Sequence, residues 1–219
     1  QFVPDAAIDL TREVYVSGAA WHLVGSPMDG ASTTSVFDGC WMQQHDPTVE
    51  FPGDPWIWND DVGFDATMDR GNGYSIFSTN SAVYTFTGSA TSSNVSPSLI
   101  NGANGYNLIS NPYVSGLKWN TSIGFTNVNP NMQVWSSSGG SYTTIGTGDG
   151  YVIPAMQGFF INTTGASPAI LLNAGNRVVT NTNNILKQSE ETEDFVIFTV
   201  NNISNSYFDE SRISFDENG

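Results

Sequence analysis

Cationic side chains are scarce in this sequence. Lys and Arg together number 6 against 21 Asp and Glu, a formal net charge of −15 at pH 7. A surface this acidic repels phosphate backbones and anionic lipid, so neither nucleic acid nor membrane insertion is expected, and a secreted or cell-surface life or cation binding fits better. Cys40 is the only cysteine. No intramolecular disulfide can form, and its neighbours Gly39 and Trp41 suggest a buried thiol in place of a reactive one. Only two histidines are present, His22 in WHLV and His45 in a polar segment, which does not support a zinc site or a Cys-His nucleophile pair. No run approaches the ~18 apolar residues of a membrane-spanning helix. No charged-then-apolar leader opens the chain, which reads as a mature or excised segment.

Helical periodicity is nearly absent, while 22 Gly and 10 Pro punctuate the chain together with short Thr, Ser and Asn runs. That combination predicts many short strands joined by turns. Strands are expected near 13–16, in WHLV (21–24), near 36–42, 56–60 and 82–88, at the start of 105–120, and near 132–140, 168–175, 177–180 and 195–200. With 219 residues the chain can bury a core without a metal or disulfide staple.

An internal repeat organises this pattern. AWHLVGSPMDG (20–30) matches GYNLISNPYVSG (105–116) 85 positions on, pairing Trp21 with Tyr106, Leu23 with Leu108, Val24 with Ile109 and Pro27 with Pro112. The same shift carries Gly73, Tyr74 and Ile76 of GNGYSIF onto Gly158, Phe159 and Ile161 of MQGFFIN. Two separated blocks that keep one offset predict a duplication. The strand WIWND (56–60) matches MQVWSSSGG (132–140) by composition at a different offset, which implies loops of unequal length. The expected architecture is all-β, a β-sandwich or jelly-roll built from two duplicated halves, 1–99 and 100–185. Residues 186–219 add an acidic loop and closing strands, with the run 186–194 read as solvated loop.

GYNLISNPYVSGLKW, VWSSSGGSYTTIG and IPAMQGFFI resemble a recurrent β-rich region of large secreted and cell-surface proteins of Bacteroidetes exported by the type IX system. Its pattern is G-W-N-L-I-G-N-P-Y-P-S, then a Trp, a V-W-N strand, and I-P-x-G-Q-G-F-F-V. This chain departs from it at Tyr106, Ser110, Val114 and Met156, and carries no sorting domain. The resemblance implies an extracellular module and no particular chemistry, because the region recurs beside catalytic and adhesive domains alike. Read physically, Asn107, Asn111, Pro112, Trp135, Gly158 and Phe159 are structural: Asn-Pro forms a turn, and Gly158 before two aromatics permits close approach.

Aromatic residues supply the candidate site. Trp41, Trp56, Trp58, Tyr74, Tyr113 and Trp119 can stack on sugar faces while Asp, Asn and Gln bond hydroxyls. Asp54, Asp60, Asp61, Asp65 and Asp149 are hard oxygen donors in loops and suit calcium, although no EF-hand spacing occurs. Ser26 in VGSPM lacks the flanking glycines of a nucleophile elbow. The expected role is a non-catalytic module that binds a polysaccharide or surface glycan, or that adheres to neighbouring domains of the same protein. A ligand-free spacer and a polysaccharide-degrading enzyme with paired carboxylates are the alternatives.

Overall fold

The structure, a computed structural model, describes residues 8–50, 52–178, 195–201 and 208–214. The chain divides into two compact units, Gln1–Gln188 and Ser189–Gly219. The first half of the larger unit runs β1 (Ile8–Val16), β2 (Ala20–Gly25), β3 (Ala31–Ser32), the one-turn helix α1 (Thr33–Val36), β4 (Trp41–His45), β5 (Trp56–Trp58), β6 (Thr67–Met68), β7 (Gly73–Ser78) and β8 (Ala82–Ala90). Its second half runs β9 (Tyr106–Ser110), β10 (Gly116–Lys118), β11 (Gly124–Thr126), β12 (Val128–Ser136), β13 (Ser141–Ile145), β14 (Val152–Ile153), β15 (Gly158–Thr163), β16 (Ala169–Leu171) and β17 (Arg177–Val178). In the smaller unit β18 (Phe195–Asn201) and β19 (Phe208–Ser214) pair antiparallel. The acidic run 186–194 lies outside the described residues, as do positions 179–180 of the expected strand 177–180. No described helix is long and apolar enough to cross a membrane.

The larger unit is all-β, with several antiparallel sheets in a sandwich-like arrangement. Two four-stranded sheets form its centre, ordered β2-β7-β4-β5 and β9-β15-β12-β13. Their registers correspond. Leu23 opposes Ser75 and Val24 opposes Tyr74 in one sheet, while Leu108 opposes Phe160 and Ile109 opposes Phe159 in the other, each residue 85 positions on. The third strands correspond at a shift of 90, with Gln43 opposite Ser75 and Gln133 opposite Phe160. The edge strands correspond at 86, with Trp56 opposite His45 and Tyr142 opposite Trp135. By place in the sheet, then, the counterpart of WIW is Ser141–Ile145 and not MQVW. Val134-Trp135 takes the place of Gln44-His45, and the matching tryptophans misled because the two strands share composition without sharing position.

The expected strand 36–42 also differs. The Ser32 hydroxyl accepts from the Ser35 amide at 3.2 Å and caps a single helical turn. Gly39 then takes φ +76°, and the strand begins only at Trp41.

Alternation along each strand divides the side chains between two faces. The outer face of the first sheet buries Val24, Met42, Tyr74 and Ile76 against Val14, Val16, Tyr84 and Phe86 of the β1-β8 pair. The corresponding face of the second buries Ile109, Met132, Phe159 and Ile161 against Tyr113, Leu117, Trp119 and Ile153. Between the sheets lies a smaller cluster of Leu23, Leu108 and Phe160, flanked by Trp56 and Trp135.

The sheets meet through reciprocal contacts. The Gly25 amide donates to the Met156 carbonyl at 2.9 Å, and the Ser110 amide donates to the Gly71 carbonyl at 2.8 Å. Val24 bridges to Gln157, and Ile109 bridges to Asn72. Each contact is the other with 85 added to one residue and subtracted from its partner, the pattern of a two-fold interface in which patch i meets j and j meets i. Gly25 faces its own counterpart Ser110, which puts both beside the pseudo-axis, and a Cβ on Gly25 would overlap the Ser110 hydroxyl. A Cβ on Gly73 would lie 2.8 Å from the Ile109 carbonyl oxygen, and one on Gly158 would lie 2.8 Å from the Leu23 carbonyl carbon. These neighbours are backbone and cannot swing aside.

The turns beside the contact repeat as well. Asn111 Oδ1 accepts from the Tyr113 amide at 3.0 Å, and Ser26 Oγ accepts from the Met28 amide at 3.0 Å. Asn111 Nδ2 also lies within 3.0 Å of the Ser115, Ile153 and Pro154 carbonyls, and Asn107 bonds both backbone groups of Ile100 at 2.9 Å. Ser26 is thus a buried turn former. Gly158→Ala should destabilise the protein by ~1–3 kcal/mol through overpacking, whereas Gly148→Ala, with nothing near its new Cβ, should fall within ~0.5 kcal/mol of the parent; urea denaturation of the two variants side by side checks this.

Candidate functional site

Where the two sheets diverge from their glycine contact, their inner faces enclose a cleft. On the first sheet the inward residues, those in register with Leu23, include Trp21, Trp41, Gln43, His45, Trp56, Trp58, Ser75 and Phe77. On the second they include Tyr106, Gln133, Trp135, Tyr142 and Phe160.

The larger cavity in the cleft, about 470 Å³, is walled by Phe160, Tyr106, Tyr142, Trp56 and His45, with Asn104 and Gln133 as polar groups. The rings meet edge to face: Phe160 lies 5.0 Å from His45, 5.9 Å from Tyr142 and 6.1 Å from Trp56. A second cavity of about 230 Å³ is lined by Trp21, Leu23, Gln43, Ser75 and Trp135, and shares Trp56 and Tyr142 with the first. Trp135 stacks obliquely on Tyr142 at 4.9 Å, and its indole N–H donates to the Trp21 carbonyl at 2.9 Å, tying one sheet to the other. Neither cavity has an Asp, Glu, Lys or Arg in its lining. In a chain of net charge −15 that absence leaves aromatic faces and carboxamides as the principal lining of the cleft.

His45 is the one titratable imidazole in the cleft wall. Burial pushes its pKa from the usual 6.5 to about 4, against a smaller upward pull from Asp46. Its Nδ1 is buried and without a hydrogen-bond partner among the described residues. At neutral pH it is an uncharged ring. His22 lies outside the cleft, donating from Nε2 to the Ser17 carbonyl at 2.9 Å, and burial lowers its pKa too.

The residues expected to bind ligand separate into two groups. Trp56 lies at the centre of the cleft, between both cavities. Trp58 packs edge to face on Trp21 at 6.1 Å, and Trp41, 62% exposed, stacks on Phe77 at 5.6 Å, extending the row of rings to the surface. Tyr74, Tyr113 and Trp119 are core residues, each only 1% exposed, and cannot present a face to a ligand. Tyr113 donates its hydroxyl to the Leu172 carbonyl at 2.7 Å, and Trp119 donates its indole N–H to Pro130 at 3.0 Å while packing on Phe159. Their apolar neighbours come from strands far away in sequence, which is why a count of aromatics could not sort them from surface rings.

The aspartates expected to hold calcium make separate contacts. Asp54 accepts from the Trp56 amide, Asp61 from the Trp58 amide, Asp65 from the Gln44 carboxamide and Asp149 from the Gly146 amide. Asp54, Asp61 and Asp149 close local turns, and Asp65 ties its loop to β4. Among the described residues no three His, Cys, Asp or Glu side chains gather into a group that could hold a metal ion. Cys40 is buried, 2.9 Å from the Tyr84 hydroxyl.

Sequence reasoning missed Trp21, Gln43, Tyr106, Gln133, Tyr142 and Phe160 as cleft residues. The available signal was alternation: Ser75 and Phe77 fall on the face opposite Tyr74 and Ile76, and a polar residue among apolar ones marks a face that is only half covered. Compared with known proteins, the chain matches no protein-family model, no curated protein and no solved structure.

The depressed pKa of His45 has a sign. Between about pH 6.5 and 4 the unfolded chain binds a proton at this position that the folded chain refuses, so stability falls as pH falls through that window. Thermal melting from pH 7.5 to 4 should show this decline, and His45→Gln should flatten it, with His22 and, at the acid end, the Asp46 carboxyl supplying residual slope.

Proposed function

We propose that this chain is a non-catalytic extracellular module that binds a neutral glycan in the cleft between its two central sheets. The observation that carries the reading is the cleft's lining: aromatic faces and carboxamides, with no charged side chain, on a protein that is otherwise strongly acidic. Sugar rings bury their C–H faces against aromatic side chains and spend their hydroxyls on amides. Paired carboxylates, which glycoside hydrolysis requires about 5 to 9 Å apart, are missing from this lining. That favours binding over cleavage, and the open aromatic lining favours a ligand site over a plain spacer.

The repeated strand order, register and turns support an origin by duplication of one four-stranded half, with the halves packed as a pseudo-two-fold sandwich. The Asn-Pro turn, the Trp135 strand and the Gln157-Gly158-Phe159 segment keep the resemblance to the recurrent region of Bacteroidetes surface proteins, and with it the proposal of a secreted or surface-anchored parent. Neither a jelly-roll path nor a resident calcium ion enters this reading.

A glycan array followed by calorimetry tests it. Neutral glycans should be retained equally with calcium and with chelator. Trp56→Ala and Tyr142→Ala should each weaken binding at least tenfold, ~1.4 kcal/mol, without loss of the folded state by circular dichroism. Silence across the array, or binding that survives both substitutions, would refute the reading.

A further inference from the structure

The two cavities are equivalents of one another across the pseudo-axis. Trp21 corresponds to Tyr106, Gln43 to Gln133, Ser75 to Phe160 and Trp135 to His45 by their places in the two sheets. Each cavity therefore has one inward ring from the first strand of its sheet and one glutamine from the third strand. Trp56 and Tyr142 are themselves equivalents and line both cavities. A residue pair that is shared in this way stands between two subsites, as a partition with a face for each.

From this we infer that the cleft is a two-subsite groove for a chain, and that its ligand is a linear oligosaccharide of at least two β-linked hexopyranose units with equatorial hydroxyls. The inference rests on the glycan reading above and adds its length and mode. Sugars with equatorial substituents expose an apolar face on each side of the ring, so neighbouring units can meet Trp56 and Tyr142 while Gln43 and Gln133 bond hydroxyls on either side. Neither cavity is a closed pit: both are open to solvent, and the exposed ring of Trp41 stacked on Phe77 continues the aromatic row past Trp21. A single terminal sugar would use half of this surface. The subsites differ in their walls: the first has Phe160, Tyr106 and His45 where the second has Ser75, Trp21 and Trp135.

The experiment is calorimetry of the whole chain with glucose, cellobiose and cellotetraose, and with the corresponding β-1,3-linked series. Affinity should rise at least tenfold from monosaccharide to tetrasaccharide in one of the two series. Tyr106→Ala and Trp21→Ala, each touching one cavity, should both reduce tetrasaccharide affinity and erase most of the length dependence. Should Trp21→Ala fail to fold, Gln43→Ala and Gln133→Ala carry the same comparison. Binding that depends on Trp56 and is independent of chain length would overturn the two-subsite groove and leave the glycan reading standing. Loss confined to one cavity's variants would also overturn it. No binding of any member of either series would overturn the inference, and the glycan array then decides the broader reading separately.

Discussion

The structure depends on the close approach of two backbones at Gly73 and Gly158. At these positions a single methyl group would fall within 3 Å of the opposing sheet's main chain, so the sheets can touch there only because both strands begin with glycine. The contact is reciprocal, and each glycine serves the sheet opposite its own. From it follow the main-chain bonds of Gly25 with Met156 and of Ser110 with Gly71. Positive φ at Gly71 and at its equivalent Met156 turns the chain into both contacts. Met156 adopts a conformation that L side chains rarely accept, held there by a side chain buried in the first sheet's core.

Beyond the glycines the residues on the inner faces grow, from glycine and serine through leucine to tryptophan, tyrosine and phenylalanine, and the sheets are wedged apart. The outer faces carry the stability, each with its own apolar cluster. The inner faces retain only Leu23, Leu108 and Phe160 as shared core. A pair of sheets clamped at one end and padded by rings at the other leaves an aromatic cleft as a geometric consequence. The indole bond from Trp135 to the Trp21 carbonyl, together with the Ser137 hydroxyl bond to the same carbonyl at 2.7 Å, limits how far it opens.

Much of this architecture could be read from the chain. The 85-residue offset is legible because 20–25 pairs with 73–78 in one half and 106–110 with 158–162 in the other, so neither strand can slip without moving its whole apolar set to the wrong face. The third and edge strands do not keep that offset, since the loops before them differ in length between the halves, and similarity of composition then aligned Trp58 with Trp135 wrongly. The site was legible only at Trp56 and in the row continued by Trp41 and Trp58. Tyr74, Tyr113 and Trp119 look no different from them in sequence, yet lie under β1, β8 and the second sheet's cover, which no local pattern reveals. Asp54, Asp61 and Asp149, offered as calcium ligands, accept from backbone amides within three residues, a use of Asp that sequence alone does not separate from metal binding.

A crystal structure of the whole chain grown with cellotetraose, or with the β-1,3-linked tetrasaccharide if that is the series that binds, bears most directly on the claim that the inter-sheet cleft is a glycan site. The account predicts sugar density in contact with Trp56 and Tyr142, with one ring beside Gln133 and the next beside Gln43. Sugar bound only elsewhere on the surface, or a cleft that stays empty at saturating ligand, would contradict it.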